Sequence, residues 1–227
     1  MHSELLSLFQ CDNTRYLTSS LTGEDDDRGK KGAKYKTIHS PVTAEVWKKH
    51  LEGELRLGLR PEVDGTCTWG CIDIDEYNFD HSKLIQSIRT LNLPLIVCRS
   101  KSGGAHVFLF TKENIPASLM QSKLKSMAII LGYEGSEIFP KQTEILVERG
   151  DTGNFLNLPY HNQMKGLRYA INDNGAGCTL EEFFELHNVY ACTKEQVEAI
   201  KTEEKKIEEA FPGGPPCLNK LATTGFG

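Results

Sequence analysis

The stretch Cys67–Asp75, Cys-Thr-Trp-Gly-Cys-Ile-Asp-Ile-Asp, constrains this chain more than any other. It reads as a strand, in which side chains alternate with period two. Ile72 and Ile74 then share one face, and Cys71, Asp73 and Asp75 share the other. Two carboxylates two residues apart on a strand stand side by side and repel. Either the strand end is solvated, or a cation sits between them. A hard divalent ion with oxygen ligands is the natural one. The acidic pair alone does not choose between these readings.

The flanking pattern places that strand in a fold. Upstream, Leu5–Phe9 reads as a short helix or strand, Ser19–Gly32 as a polar loop, and Thr37–His39 as extended chain. Thr43 caps a helix that runs through Val46, Trp47 and Leu51 to Gly53. Leu55–Arg60 is a strand stopped by Pro61, and Val63–Thr66 a turn. Downstream, a helix from Asp80 to Leu91 buries Leu84, Ile85 and Ile88. The β-branched run Leu95–Arg99 is a buried strand, and Ser100–Gly104 a tight turn. Ala105–Thr111 follows as a strand with His106, Phe108 and Phe110 on one face and Val107 and Leu109 on the other, closing a β-hairpin.

Pro116–Leu131 is a helix ended by Gly132, Glu137–Pro140 a short strand, and Asn154–Pro159 a strand cut by proline. Gly150–Gly153 reads as a loop and Tyr169–Gly177 as a strand and turn. Thr179 and Glu182 form a capping box. Lys194–Phe211 reads as a charged helix with a thin stripe of Val197, Ile200, Ile207 and Phe211. The order predicts an α+β fold: a mainly antiparallel sheet with a split βαβ core of the RNA-recognition type, helices covering one face, and a helical C-terminus. The expected organisation is an N-terminal segment over 1–36 packing on the core, a core over 37–178, C-terminal helices over 179–211, and a linker with the start of a further segment over 212–227.

The 227 residues suffice for one large domain or two small ones, and no run of ~18 apolar residues suggests a membrane span. The seven cysteines are scattered; Cys67 and Cys71 lack a second pair at zinc spacing, so reduced thiols in an intracellular protein are expected. The net charge of −5 does not announce a nucleic-acid binder. Arg28, Lys30, Lys31, Lys34 and Lys36 nevertheless form a local basic run, which fits phosphate contact or a solvated loop equally.

Three further stretches carry chemistry. Arg99-Ser100-Lys101-Ser102-Gly103-Gly104-Ala105-His106 joins two glycines, which allow a tight turn, to hydroxyls and cations that suit a triphosphate. It is not a P-loop, and an ordinary polar hairpin turn has the same composition. Glu137, opening Glu-Ile-Phe-Pro-Lys-Gln, is able to complete an acidic triad with Asp73 and Asp75; Glu144 and Asp151 compete for that place. Asn157, Tyr160, His161 and Asn162 offer neutral donors and an aromatic ring, on a stretch that also reads as a packed strand.

In this order the motifs resemble the archaeo-eukaryotic primase superfamily, in the primase-polymerase form found in phages, plasmids and mobile elements. The likeness covers about residues 37 to 175, and includes His50-Leu51-Glu52-Gly53, Gly58-Leu59-Arg60-Pro61 and Leu158-Pro159-Tyr160. It departs from the family in its third acid, often aspartate there and glutamate here. The resemblance implies a template-directed nucleotidyltransferase, a DNA primase or primase-polymerase of phage or mobile-element replication. It implies two Mg²⁺ or Mn²⁺ ions on Asp73, Asp75 and Glu137, with His106 on the triphosphate. Arg99, Ser100, Lys101, Ser102, Gly103, Gly104, Asn157 and His161 are then expected to bind nucleotide. Implied partners are a single-stranded DNA template, nucleoside triphosphates and a helicase region on the full-length chain, with no membrane, in the cytoplasm of a bacterial host. The rival readings are a metal-dependent nuclease and a non-catalytic module that stacks bases on sheet aromatics such as Phe108 and Phe110.

Overall fold

The computed structural model describes residues 2–25, 31–144 and 153–201. In chain order its elements are α1 (His2–Leu8), β1 (Tyr16–Asp25), β2 (Lys31–Ile38), α2 (Ala44–Glu52), β3 (Arg56–Leu59), β4 (Thr66–Ile74) and α3 (His81–Thr90). They continue with β5 (Leu95–Arg99), β6 (Ala105–Pro116), α4 (Ala117–Leu131), β7 (Glu137–Phe139), β8 (Leu156–Asn157), α5 (Leu180–Tyr190) and α6 (Lys194–Ala199).

The strands form two antiparallel four-stranded sheets, a first of order β2-β1-β3-β8 and a second of order β5-β6-β4-β7. The second sheet, with α3 and α4 as its crossovers, is the expected split βαβ core. Local signals placed its parts. Thr43 caps α2 through the Val46 amide, and Gly53 ends it at a φ of 86°. Asp80 caps α3, Gly132 ends α4 at a φ of 84°, and Thr179 with Glu182 forms the capping box of α5.

The first sheet departs from expectation. Ser19–Gly32 was read as a loop because Ser, Thr, Gly and charges fill it. Its described residues instead belong to β1 and β2, which pair with each other. The pairing runs from Tyr16 opposite Ile38 to Asp25 opposite Lys31, and β1 alone also pairs with β3, where Leu17, Thr18 and Ser19 lie opposite Gly58, Leu57 and Arg56. β8 is only Leu156–Asn157, because Pro159 follows, and Ala170 makes an isolated bridge to Cys98 where a strand was expected. α6 stops at Ala199, with Ile200 extended; the remainder of the expected helix to Phe211, like the linker after it, lies outside the described residues.

Helices α3 and α4 cover one face of the second sheet, as expected, and the first sheet with α5 covers the other. Ile72, Ile74, Val97, Val107 and Leu109 pack with Leu84, Ile85 and Ile88 of α3 and Met120, Leu124 and Met127 of α4. The other face joins Trp69, Cys71, Phe108 and Phe110 to Leu57 and Leu59 of the first sheet and Phe183 of α5. Phe9, just past α1, sits at its centre, with ring centroids 5.3 Å from Trp69 and 5.6 Å from Phe108. Burying these aromatics in edge-to-face pairs supplies the core that joins the two sheets. Among the described residues six cysteines are free thiols, and no helix is long and apolar enough to cross a membrane.

Candidate active site

The site grows from the register of the second sheet. Asp73 on β4 lies opposite His106 on β6 and, on its other side, opposite Glu137 on β7. Side chains opposite one another in an antiparallel pair share a face. Glu137, Asp73 and His106 therefore form one row across three strands, at the end of the aromatic face. His106 Nε2 stands 3.3 Å from Asp73 Oδ1. The buried Oδ1 makes no hydrogen bond among the described residues, so this contact is its one close approach to a cation-forming group. The His106 ring also leans edge-on against Phe108.

The glycine turn closes over this row. Ser100 N–H donates to the Gly104 carbonyl at 2.9 Å and Gly103 N–H to the Ser100 carbonyl at 3.2 Å. Gly103 has a φ of 97°, and a Cβ on Gly104 would lie 2.1 Å from the Ile74 carbonyl oxygen. The turn thus touches the backbone of β4, which only a residue without a side chain allows. Ser102 Oγ donates to Asp75 Oδ1 at 3.4 Å and lies 3.1 Å from Ser100 Oγ. Motif and acids, 27 residues apart in sequence, are joined here. His81, at the start of α3, lies 3.0 Å through Nε2 from the Gly104 carbonyl. The sequence reading missed that positioning residue, which helix spacing alone does not reveal.

Asp73, Asp75, Glu76, Glu134 and Glu137 line an open cleft of about 470 Å³ with Tyr133. Burial first, then the charges of Glu76 and Asp80, raise the Tyr133 hydroxyl above its ordinary pKa of 10.0. The donors are hard oxygens, the Asp73 Oδ1 is unpartnered, and the register sets Asp73 beside Glu137. This chemistry fits a divalent cation. The side chains do not yet converge: among the described residues no three acidic, His or Cys groups stand together as a ready-made ion site. Lys141 Nζ instead holds Glu137 Oε2 at 2.7 Å while lying over the Phe139 ring. Glu144 is exposed, and Asp151 lies outside the described residues.

The remaining expected residues divide. Arg99 is spent on structure, its Nη1 donating to the Leu167 carbonyl at 3.0 Å. Tyr160 does not offer a ring for stacking. It is buried, its hydroxyl bonded to the Cys178 and Thr179 carbonyls and to the Ala170 amide, and burial raises its pKa. Asn157 lies on β8 opposite Gly58. His161 is half-buried beside Arg168 and Arg56, and burial followed by those two charges lowers its pKa to about 4. Arg56 and Arg168 were not singled out from the sequence, since neither sits in a motif. Phe108 and Phe110 are 0% and 1% exposed, so the second sheet displays no aromatic face for bases.

The family model described as the archaeo-eukaryotic primase domain of the TOTE conflict system matches residues 22–200. No curated protein sequence matches the chain. Among solved structures, the archaeo-eukaryotic primase domain of the cyanophage S-2L primase-polymerase is similar at 13% identity. That alignment covers 81% of this chain and 95% of the other at a TM-score of 0.42, a likeness too slight to carry an argument.

Proposed function

Because this chain belongs to the archaeo-eukaryotic primase domain family of the TOTE conflict system, we propose that it is a template-directed nucleotidyltransferase that joins nucleoside triphosphates along single-stranded DNA. The observation that supports this reading is the row Glu137–Asp73–His106 with the glycine turn folded against Asp75. Asp73, Asp75 and Glu137 would hold two divalent ions, Mg²⁺ or Mn²⁺, which supply when bound the charge that activates a 3′-hydroxyl and neutralises departing pyrophosphate.

The chain's own residues do the positioning. His106, 3.3 Å from Asp73 Oδ1 and edge-on to Phe108, meets the triphosphate. Ser100, Lys101, Ser102 and the Gly104 amide hold the tail beside it. The new bond forms between the 3′-oxygen and the α-phosphorus, and the α–β anhydride bond breaks. No protein nucleophile is needed, because in-line transfer asks for alignment and charge neutralisation. The turn also favours this reading over a nuclease, which has no triphosphate to hold. A role in phage or mobile-element replication, in the host cytoplasm and beside a helicase region, belongs to the same proposal.

The test is an Asp73→Asn, Asp75→Asn double variant, checked for folding by circular dichroism and assayed for primer extension with Mn²⁺. Incorporation is expected to vanish. A folded double variant that still extends a primer would sink the reading.

A further inference from the structure

Two glycines in succession leave the turn after β5 with more backbone freedom than any other pair of residues. They are needed all the same, because the turn lies against β4, where a Cβ on Gly104 would meet the Ile74 carbonyl oxygen at 2.1 Å. Such freedom works against a seat for a ligand, whose groups are best held in place before the ligand arrives. The turn closes itself from within, through Ser100 N–H to the Gly104 carbonyl and Gly103 N–H to the Ser100 carbonyl. A restraint from outside comes from α3.

His81, the first residue of α3, stands with Nε2 3.0 Å from the Gly104 carbonyl oxygen. A carbonyl only accepts, so Nε2 carries the proton and donates. The Gly104 carbonyl thereby receives two donors, the Ser100 amide from inside the turn and His81 from outside it. His81 is itself held. Asp80 caps α3 by accepting from the Lys83 amide at 3.0 Å, and Leu84, Ile85 and Ile88 anchor the helix in the core. The His81 ring meets Phe79 edge-on, 5.0 Å between centroids, and Phe79 in turn meets Tyr133 at 5.8 Å. Tyr133 follows Gly132, which ends α4, and lines the acidic cleft with Asp73, Asp75 and Glu137. The row Tyr133–Phe79–His81 thus runs from the wall of the cleft to the turn. Neither Phe79 nor His81 lines the cleft, so both act through other residues.

We infer that His81 is a positioning residue for nucleotide transfer: its bond to the Gly104 carbonyl, braced by Phe79 and Tyr133, fixes the glycine turn in the shape that receives a triphosphate. The inference rests on the reading of the turn as a triphosphate seat, and it gives His81 no contact with the ligand.

The test sets His81→Ala against His81→Gln in the full chain. Alanine removes the donor without weakening α3, being the best helix former. Glutamine carries an amide N–H with about the reach of Nε2. Primer extension with Mn²⁺ at varied nucleoside triphosphate gives KM and kcat. Hydrogen exchange followed by NMR, with neither substrate nor metal, gives the protection of the Ser100 amide. His81→Ala is expected to raise KM about fivefold, the scale of one ordinary hydrogen bond, and to leave kcat within about twofold. It is expected to speed Ser100 exchange by a similar factor. His81→Gln is expected to restore both. Lys83→Gln, exposed on the same helix, is the control, and urea midpoints report folding. A wild-type chain that incorporates nothing would sink the polymerase reading, and Ser100 exchange would then decide the restraint by itself. Wild-type KM and wild-type Ser100 exchange in His81→Ala would overturn the inference. So would a glutamine variant as impaired as the alanine one, or a kcat that falls with the urea midpoint at unchanged KM, which marks support of the fold alone.

Discussion

The two sheets rest on one aromatic core, yet the second ends in carboxylates and the first carries arginines. Asp73, Asp75, Glu76, Glu134 and Glu137 gather at the cleft of the second sheet. Arg56, Arg168 and His161 gather on the first. Each region holds one buried atom with an unmet demand, Asp73 Oδ1 in the acidic region and Arg168 Nη1 in the basic one. A net charge of −5 hides this division completely. A nucleotide is itself divided in the same sense, needing cations at its phosphates and, in transfer, a charge-neutralised reacting centre. Local placement of charge thus says more about ligands than its sum.

The contrast is broken most sharply at Asp73. Asp73→Asn should cut nucleotide incorporation by several kcal/mol, about 10³-fold, while leaving the fold unchanged. A primer-extension rate set beside a circular dichroism spectrum checks both halves. The glycine turn against the acids is next. Gly104→Ala pushes a methyl group into the Ile74 carbonyl and should cost about 1–3 kcal/mol in a urea melt, with loss of incorporation.

Beside the first sheet, on α2, pH is the lever. His50 is buried, accepting from the Leu57 amide through Nδ1 and donating through Nε2 to the Pro159 carbonyl. Burial lowers its pKa from 6.5 to about 3. Above 6.5 both folded and unfolded forms are neutral and stability is full. Below that value the unfolded chain takes up a proton that the folded chain refuses, so stability falls between 6.5 and about 3. At pH 5 the loss is about 2 kcal/mol from this residue. His50→Gln, which keeps a donor and an acceptor, should flatten the difference between urea midpoints at neutral and acid pH.

The smallest effect sharpens the acidic side. Lys141 occupies the carboxylate that the proposed ions need. The pair is half in solvent, so its release is worth on the order of 0.5 kcal/mol. Lys141→Met should tighten Mn²⁺ binding a few-fold, read by electron paramagnetic resonance. Unchanged affinity would mean that Glu137 is not the third ligand.

Much of the second sheet was legible. Its strands alternate or run apolar, and its helices carry caps and stop signals within a few residues of their ends. Asp73, Asp75 and the glycine turn stood out because each motif is contiguous. Tyr160 misled, since an aromatic in a polar stretch looks available, and nothing local reveals that its hydroxyl is consumed by Cys178, Thr179 and Ala170. The strands β1 and β2 looked like a loop because their sequence is polar and Gly-containing; what makes them strands is their pairing with each other and that of β1 with β3.

What the chain's order of residues determined by itself was local: period, caps, turns and the motifs they carry, because these depend on neighbours a few positions away. Only tertiary structure decided which motifs meet. Register placed Glu137 and His106 on either side of Asp73, covered Phe108 and Phe110 with Phe9 and Phe183, and drew Arg56 and Arg168 together. Those outcomes follow from burying one shared core, a requirement that no single segment expresses alone.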